Sequence, residues 1–266
     1  MFDAFNRNIN YLRVSITDRC NLRCIYCMPP EGIRLLDHKD ILSFEQIVAA
    51  IKVATTMGID KVRITGGEPL VRKGVVHLAA MIAGLEGIHD FGLTTNGILL
   101  KDFASGLAQA GLHRVNISLD TADSGKYREI TRGGDITEVF RGIDAAKKAG
   151  LEPIKINCVV KNSSEEPDAL LVKEFCRKEA LEVRFIHEMD LKSGCFTIVE
   201  GGSGGDCTRC NRLRLTADGK LKPCLFNDLG FDIREMGVEE AFRKAVEMKP
   251  ERGSFNLSNK FHNIGG

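Results

Sequence analysis

Short apolar runs alternate with longer amphipathic stretches along most of this 266-residue chain, a rhythm that predicts parallel strands joined by helices. The predicted strands are Tyr11–Thr17, Lys61–Thr65, Phe91–Thr95, Arg114–Leu119, Ile154–Val160 and Glu182–His187. Between them the spacing predicts helices over Ser43–Met57, Gly74–Ala83, Lys101–Ala110, Thr137–Ala149 and Glu166–Glu179. Ser43 followed three positions later by Gln46 reads as a capping box, and Gly58, Gly111 and Gly150 read as helix stops. Six such units are too few for a closed eight-fold barrel. The predicted fold class is therefore α/β, a partial (β/α)6 barrel of the TIM type with a small C-terminal extension.

The rhythm breaks after Met189, in a polar stretch that ends in Glu200-Gly-Gly-Ser-Gly-Gly205. Glycine and serine predict a flexible connection there, dividing the chain into 1–190 and 191–266. The same run also reads as a linker put in place of longer native sequence. Beyond it, Arg212–Thr216 and Lys220–Leu225 flank Ala217-Asp-Gly219, which predicts a small hairpin. A helix over Val238–Glu247 and a tail ending in Gly265-Gly266 follow.

Composition changes this picture little. The chain is 43% hydrophobic and 27% charged with a net charge of +1, as in an ordinary globular protein. Nothing in that balance calls for a nucleic-acid or membrane partner. The apolar runs are too short to span a bilayer and the first residues lack a signal-peptide pattern, so the expected location is cytoplasmic.

Cysteine placement changes it a great deal. Six of nine cysteines fall in two groups, Cys20/Cys24/Cys27 and Cys207/Cys210/Cys224. Cys158 and Cys176 read as small buried hydrophobes, while Cys195 lies on the approach to the second group. The first group, C-x3-C-x2-C, follows the first strand, and its x3 gap is wrong for a zinc knuckle. Three thiolates can hold three irons of a cubic iron–sulfur cluster and leave the fourth open for chemistry. The second group, C-x2-C-x13-C, is again a triad, and structural zinc completed by Cys195 or His262 is a rival reading. Arg212 and Arg214 follow Cys210 at alternate positions, so one strand face presents both. Paired guanidinium groups suit phosphate oxygens, the alternative being a solvated hairpin face.

The Cys20-Asn-Leu-Arg-Cys24-Ile-Tyr-Cys27 run resembles the radical S-adenosylmethionine (SAM) superfamily, with Tyr26 before the last cysteine. Gly66-Gly67-Glu68-Pro69, Thr94-Thr95-Asn96-Gly97 and Asn116-Ile-Ser118-Leu-Asp120 extend the resemblance at later strand ends, though each alone also reads as an ordinary turn. The resemblance implies SAM held by an open iron of a [4Fe–4S] cluster on Cys20, Cys24 and Cys27. Tyr26, Gly67, Glu68, Thr94, Ser118 and Met189 would contact SAM. The segment Cys210-Asn-Arg-Leu-Arg214, with Tyr11-Leu-Arg-Val-Ser-Ile-Thr-Asp-Arg-Cys20 and Arg63-Ile-Thr-Gly-Gly-Glu-Pro-Leu70, is similar to the GTP 3′,8-cyclase family of molybdenum cofactor biosynthesis. That similarity implies a second [4Fe–4S] cluster on Cys207, Cys210 and Cys224, whose open iron takes guanine. It places GTP against Arg13, Lys61, Arg63, Lys155, Asn157, Arg184, Arg212 and Arg214, with Arg212 and Arg214 also catalytic. Gly265-Gly266 would reach into the site. It further implies a flavodoxin- or ferredoxin-like electron donor, a downstream cyclic pyranopterin monophosphate synthase and a homodimer.

Two departures from the family stand out. The stretch before Cys207 is much shorter than usual, and the family's Arg-Phe-Ile-Glu reads Arg184-Phe-Ile-His187. A trimmed form, a compact cyclase and a relative with altered substrate all fit. The alternative enzyme is a radical SAM protein acting on a peptide or RNA, and a non-catalytic iron–sulfur or zinc scaffold is a third class.

Overall fold

The computed structural model describes residues 1–190, 194, 196–254 and 256; Cys195, His262 and Gly265-Gly266 lie outside the described residues. Six parallel strands stand side by side in chain order: β1 (Tyr11–Ser15), β2 (Lys61–Thr65), β3 (Asp90–Thr95), β4 (Arg114–Ser118), β5 (Lys155–Val160) and β6 (Glu182–His187). The crossovers carry α1 (Phe44–Thr56), α2 (Val75–Ala83), α3 (Leu100–Gln109), α4 (Ser124–Thr131) with α5 (Ile136–Ala149), and α6 (Pro167–Lys178). This is the partial (β/α)6 barrel that the rhythm predicts. Helix α4 has no counterpart in the sequence reading, because it buries only Tyr127 and Thr131 and shows little apolar periodicity.

Alternation within the strands assigns their two faces. Leu12, Val14, Val62, Ile64, Leu93, Val115 and Ile117 are all but fully buried and meet Ile47, Ile51, Leu78, Ile82, Leu107 and Ile143 of the helices in one core. The intervening positions, largely basic or polar, point to the other side. Ser43 closes α1 as predicted: its hydroxyl accepts from Gln46 N at 3.2 Å, and its own N–H donates to Gln46 Oε1 at 2.8 Å.

The C-terminal hairpin forms, but as part of the main sheet. Strand β7 (Arg212–Leu215) pairs in parallel with β1, aligning Tyr11 with Arg212 and Arg13 with Arg214. Strands β8 (Lys220–Lys222) and β9 (Phe231–Asp232) add on antiparallel, giving nine strands in the order β6-β5-β4-β3-β2-β1-β7-β8-β9. Helix α7 (Val238–Glu247) covers this end, burying Ala241, Phe242 and Ala245 against α1, β8 and β9.

The glycine-rich run departs from its reading as a flexible connection. Phe185 and Glu200 exchange backbone hydrogen bonds of 3.0 and 3.1 Å, and Val199 N donates to Gly204 O at 2.8 Å. Gly201 sits at φ 75°, and a Cβ there would stand 2.5 Å from Val183 O. Glycine is needed for this close approach to β6. The run is a docked turn, and Ser203 ties it to β7 by accepting from Arg212 Nη2 at 3.3 Å. Among the described residues no helix is long and apolar enough to cross a membrane.

Candidate active site

The polar face of β1–β7 and the loops at the strands' C-terminal ends enclose a cavity of about 400 Å³. Cys20, Cys24 and Cys27 line one part of it, and Arg13, Arg63, Arg184, Arg212 and Arg214 line another. Ends of parallel strands are where barrel sites form, because the loops there are free to vary while the strands hold them.

Two clamps shape the cysteine loop. On one side Thr17 O and Arg19 O accept from Gly67 N and Glu68 N, each at 2.8 Å. A Cβ on Gly66 would stand 2.6 Å from Thr17 O, and one on Gly67 would overlap Arg19 O, so the glycine pair is what lets the loop seat. On the other side the end of α4 reaches across: Arg132 Nη1 donates to Met28 O at 2.7 Å and Arg23 O at 2.8 Å. Ile25 N donates to Ile130 O at 2.9 Å. The sequence reading missed Arg132 along with its helix.

Burial pushes the thiols up, Cys24 to about 12 and Cys27 to about 11, with carboxylate or thiol neighbours adding to it. Such thiols give up protons only to a strongly charged partner, as metal ligation supplies. Among the described residues no three His, Cys, Asp or Glu side chains converge on one point as ligands of a single ion do. A cubic cluster asks for a different arrangement, with each thiolate on its own iron, so three cysteines spread along one loop beside an open cavity fit it.

Around them stand groups with unmet hydrogen-bonding capacity. Thr94 Oγ1, Asn116 Oδ1 and Asn157 Oδ1 are buried and find no partner among the described residues. Buried polar atoms rarely stay unpaired, so this wall is built to receive a polar ligand. Ser118 and Met189 also line the cavity. Tyr26 is held by Asp120, whose Oδ2 accepts from the phenol at 2.7 Å while Oδ1 accepts from Val159 N at 2.8 Å. Asp120 closes a quoted motif but was not among the predicted site residues. Glu68 is only 1% exposed, and its oxygens already accept from Leu70 N, Thr95 Oγ1 and Asn96 N at 2.7 to 3.1 Å. Burial nonetheless pushes its carboxyl up to about 7. Its role in this geometry is to pin the ends of β2 and β3 together.

Strand register explains the basic region. Arg214, Arg13 and Arg63 are neighbours across β7, β1 and β2, so three guanidinium groups share one face. Gly92 on β3 is aligned with Arg63, and a Cβ there would stand 3.2 Å from the Arg63 guanidinium carbon. Burial lowers Arg214 to about 9 and Arg13 to about 10, and cationic neighbours add to the drop. Tyr11, absent from the predicted site, lies among them, with Arg212 and Arg63 over its ring at 5.6 and 5.9 Å. Burial pushes the phenol up, yet Arg63, Arg13, Arg212 and Arg114 together bring it down to about 8. Lys61 also lines the cavity. Lys155 is engaged in an ion pair with Glu182 at 2.5 Å. His187 faces the cavity with Nε2 3.0 Å from Asn162 O, and its Nδ1 is buried without a partner among the described residues.

The second triad lies behind this wall. Cys207 and Cys210 bracket a short 3-10 turn and Cys224 follows β8; all three are partly buried. They do not line the cavity themselves, but Asn211, Arg212, Arg214 and Leu225 beside them do. Burial opposes ionisation of Cys210, yet Lys249 and the Arg212 amide hold it below the usual thiol range. Arg7, which the sequence did not single out, is 6% exposed, pairs with Asp3 at 2.6 Å and donates to Cys207 O at 2.7 Å.

Comparison with known proteins agrees with this geometry. Residues 14–170 match the Radical SAM superfamily and residues 173–255 match Molybdenum Cofactor Synthesis C. The GTP 3′,8-cyclase of Thermodesulfovibrio yellowstonii is 44% identical, covering 94% of this chain and 95% of its own. That of Moorella thermoacetica is 43% identical, covering 94% of each. The first alignment runs over 305 positions, so the relative carries several tens of residues that this chain lacks. Among solved structures, native anSMEcpe with bound AdoMet superposes with a TM-score of 0.63 at 17% identity, covering 87% of this chain and 80% of that one. At that identity the match speaks for the fold alone.

Proposed function

Because the chain belongs to the GTP 3′,8-cyclase family within the radical SAM superfamily, we infer that it converts GTP to (8S)-3′,8-cyclo-7,8-dihydroguanosine 5′-triphosphate, the first step of molybdenum cofactor biosynthesis. The observation that carries this reading beyond the family is the single cavity shared by Cys20/Cys24/Cys27 and the aligned Arg13, Arg63 and Arg214. This sharing would let a radical source on the cysteines stand beside an anion-binding wall.

Cys20, Cys24 and Cys27 would hold three irons of one [4Fe–4S] cluster, and Cys207, Cys210 and Cys224 three irons of a second. When reduced and with SAM bound, the first cluster would supply the radical chemistry that activates the ribose C3′–H bond. The protein's share is placement. Thr94, Ser118 and the turn at Gly67 face the SAM side, with Tyr26 fixed by Asp120. Arg13, Lys61, Arg63, Arg184, Arg212 and Arg214 bind the triphosphate, and their mutual repulsion is relieved when it arrives. Asn157 presents an acceptor toward the ribose. Lys155 acts through its pair with Glu182, and Met189, packed beside Leu225 and Phe226, would contact SAM. Residues 1–190 form the radical core and 191–266 the second-cluster region. A flavodoxin- or ferredoxin-like donor, a downstream cyclic pyranopterin monophosphate synthase, a homodimeric state and a cytoplasmic location complete the proposal.

Anaerobic reconstituted protein given SAM, dithionite and GTP should form 5′-deoxyadenosine and the cyclised nucleotide together. SAM cleavage that is indifferent to GTP overturns the assignment.

A further inference from the structure

Two buried cations stand beside the second cysteine triad, and they differ in one respect. Arg7 has its own carboxylate, Asp3, at 2.6 Å. Lys249, 3% exposed just past α7, has none in its described contacts. Its ammonium donates to Arg212 O and Pro223 O, both at 2.7 Å, and its charge acts on the Cys210 thiol. Those two bonds use two of its three donors. A buried ammonium facing only carbonyl dipoles is costly unless an anion stands close by. The groups that can supply one are Cys210 and Cys224, both within its electrostatic reach.

The two carbonyls are informative in their own right. Arg212 is two residues past Cys210, and Pro223 directly precedes Cys224. A single ammonium therefore ties together the two chain segments that carry the triad, at the point where β7 begins. We propose that Lys249 is a positioning residue for the second cluster: it sets the spacing of Cys210 and Cys224 and supplies the positive charge that offsets the ligated thiolates. Through Arg212 O it also fixes the start of β7, from which Arg212 and Arg214 project. The assignment rests on the two-cluster reading above.

Lys249→Met removes the charge and both hydrogen bonds, whereas Lys249→Gln keeps a donor and removes the charge. In Lys249→Met, iron per reconstituted chain should fall from about eight to about four. The surviving cluster should still show a SAM-dependent change in its paramagnetic resonance spectrum. In Lys249→Gln the second cluster should assemble with a more negative midpoint potential, because a cation that favours the reduced state is gone. About eight irons in both variants with unshifted potentials overturns the proposal. So does loss of both clusters in both variants, since Lys249 would then support the whole barrel rather than one site. Wild-type protein that takes up only about four irons defeats the two-cluster reading itself, and this assignment with it.

Discussion

Replacing Arg63 with methionine should stabilise the substrate-free protein while it weakens nucleotide binding. Arg63 is 3% exposed, and its Nε and Nη1 find no partner among the described residues. It is also flanked by Arg13 in register on β1. Each unsatisfied buried donor costs roughly 1–3 kcal/mol, and cavity water brings each toward the lower bound, so about 2 kcal/mol is recovered by Arg63→Met. Methionine keeps most of the stem's packing because it is unbranched and of similar length. At roughly 2–4 °C per kcal/mol for a chain of this size, the melting temperature without GTP should rise by about 4–8 °C. Against GTP the same change removes charge-assisted hydrogen bonds worth about 1.5–3 kcal/mol, a loss of roughly ten- to 150-fold in affinity. Anaerobic calorimetry with and without nucleotide, together with equilibrium dialysis, measures both. A variant that melts below wild type without GTP, or binds GTP within twofold of it, refutes this account of the basic wall.

Three further outcomes follow from the site. Tyr11 ionises near pH 8, and its phenolate would hold the guanidinium groups that the triphosphate needs. Binding then requires the protonated phenol, so GTP affinity should be flat below pH 8 and fall by up to about tenfold per pH unit above it, and Tyr11→Phe should remove that fall. Gly67→Ala forces a Cβ onto Arg19 O and unseats the cysteine loop, so iron analysis should show the first cluster lost while the second remains. Tyr26→Phe leaves Asp120 with one donor fewer, and the SAM concentration for half-maximal cleavage should rise by roughly five- to 150-fold, consistent with about 1–3 kcal/mol. An unchanged requirement for SAM would show that the pair does not shape that pocket.

The frame of the molecule was legible because each strand repeats one alternation. Leu12 and Val14 belong to the core by spacing alone, and Tyr11 and Arg13 must then face the other way. The cysteine groups stand out because their spacing along the chain is as tight as metal ligation requires. What escaped acts across space. Asp120 matters through Tyr26, Arg132 through the carbonyls of Arg23 and Met28, and Lys249 through two segments 26 and 37 residues away. No local pattern encodes such partners. The glycine run was misread for the same reason: its composition says that it can bend, and only its contact with Val183 O shows why it must.

That docked turn also bears on what can enter. It is joined to β6 through Phe185 and Glu200, and to β7 through Ser203 and Arg212. Strand β6 is one edge of the sheet and β7 lies beyond β1, so the turn links two strands that the sheet itself does not pair. It serves as a short stave between them, and it meets the cavity through Gly202, Ser203 and Gly204, which occupy little of the interior. A guest entering past the turn would have to displace its hydrogen bonds to Phe185 and Arg212, whereas a compact one arriving from the strands' C-terminal ends would leave them in place.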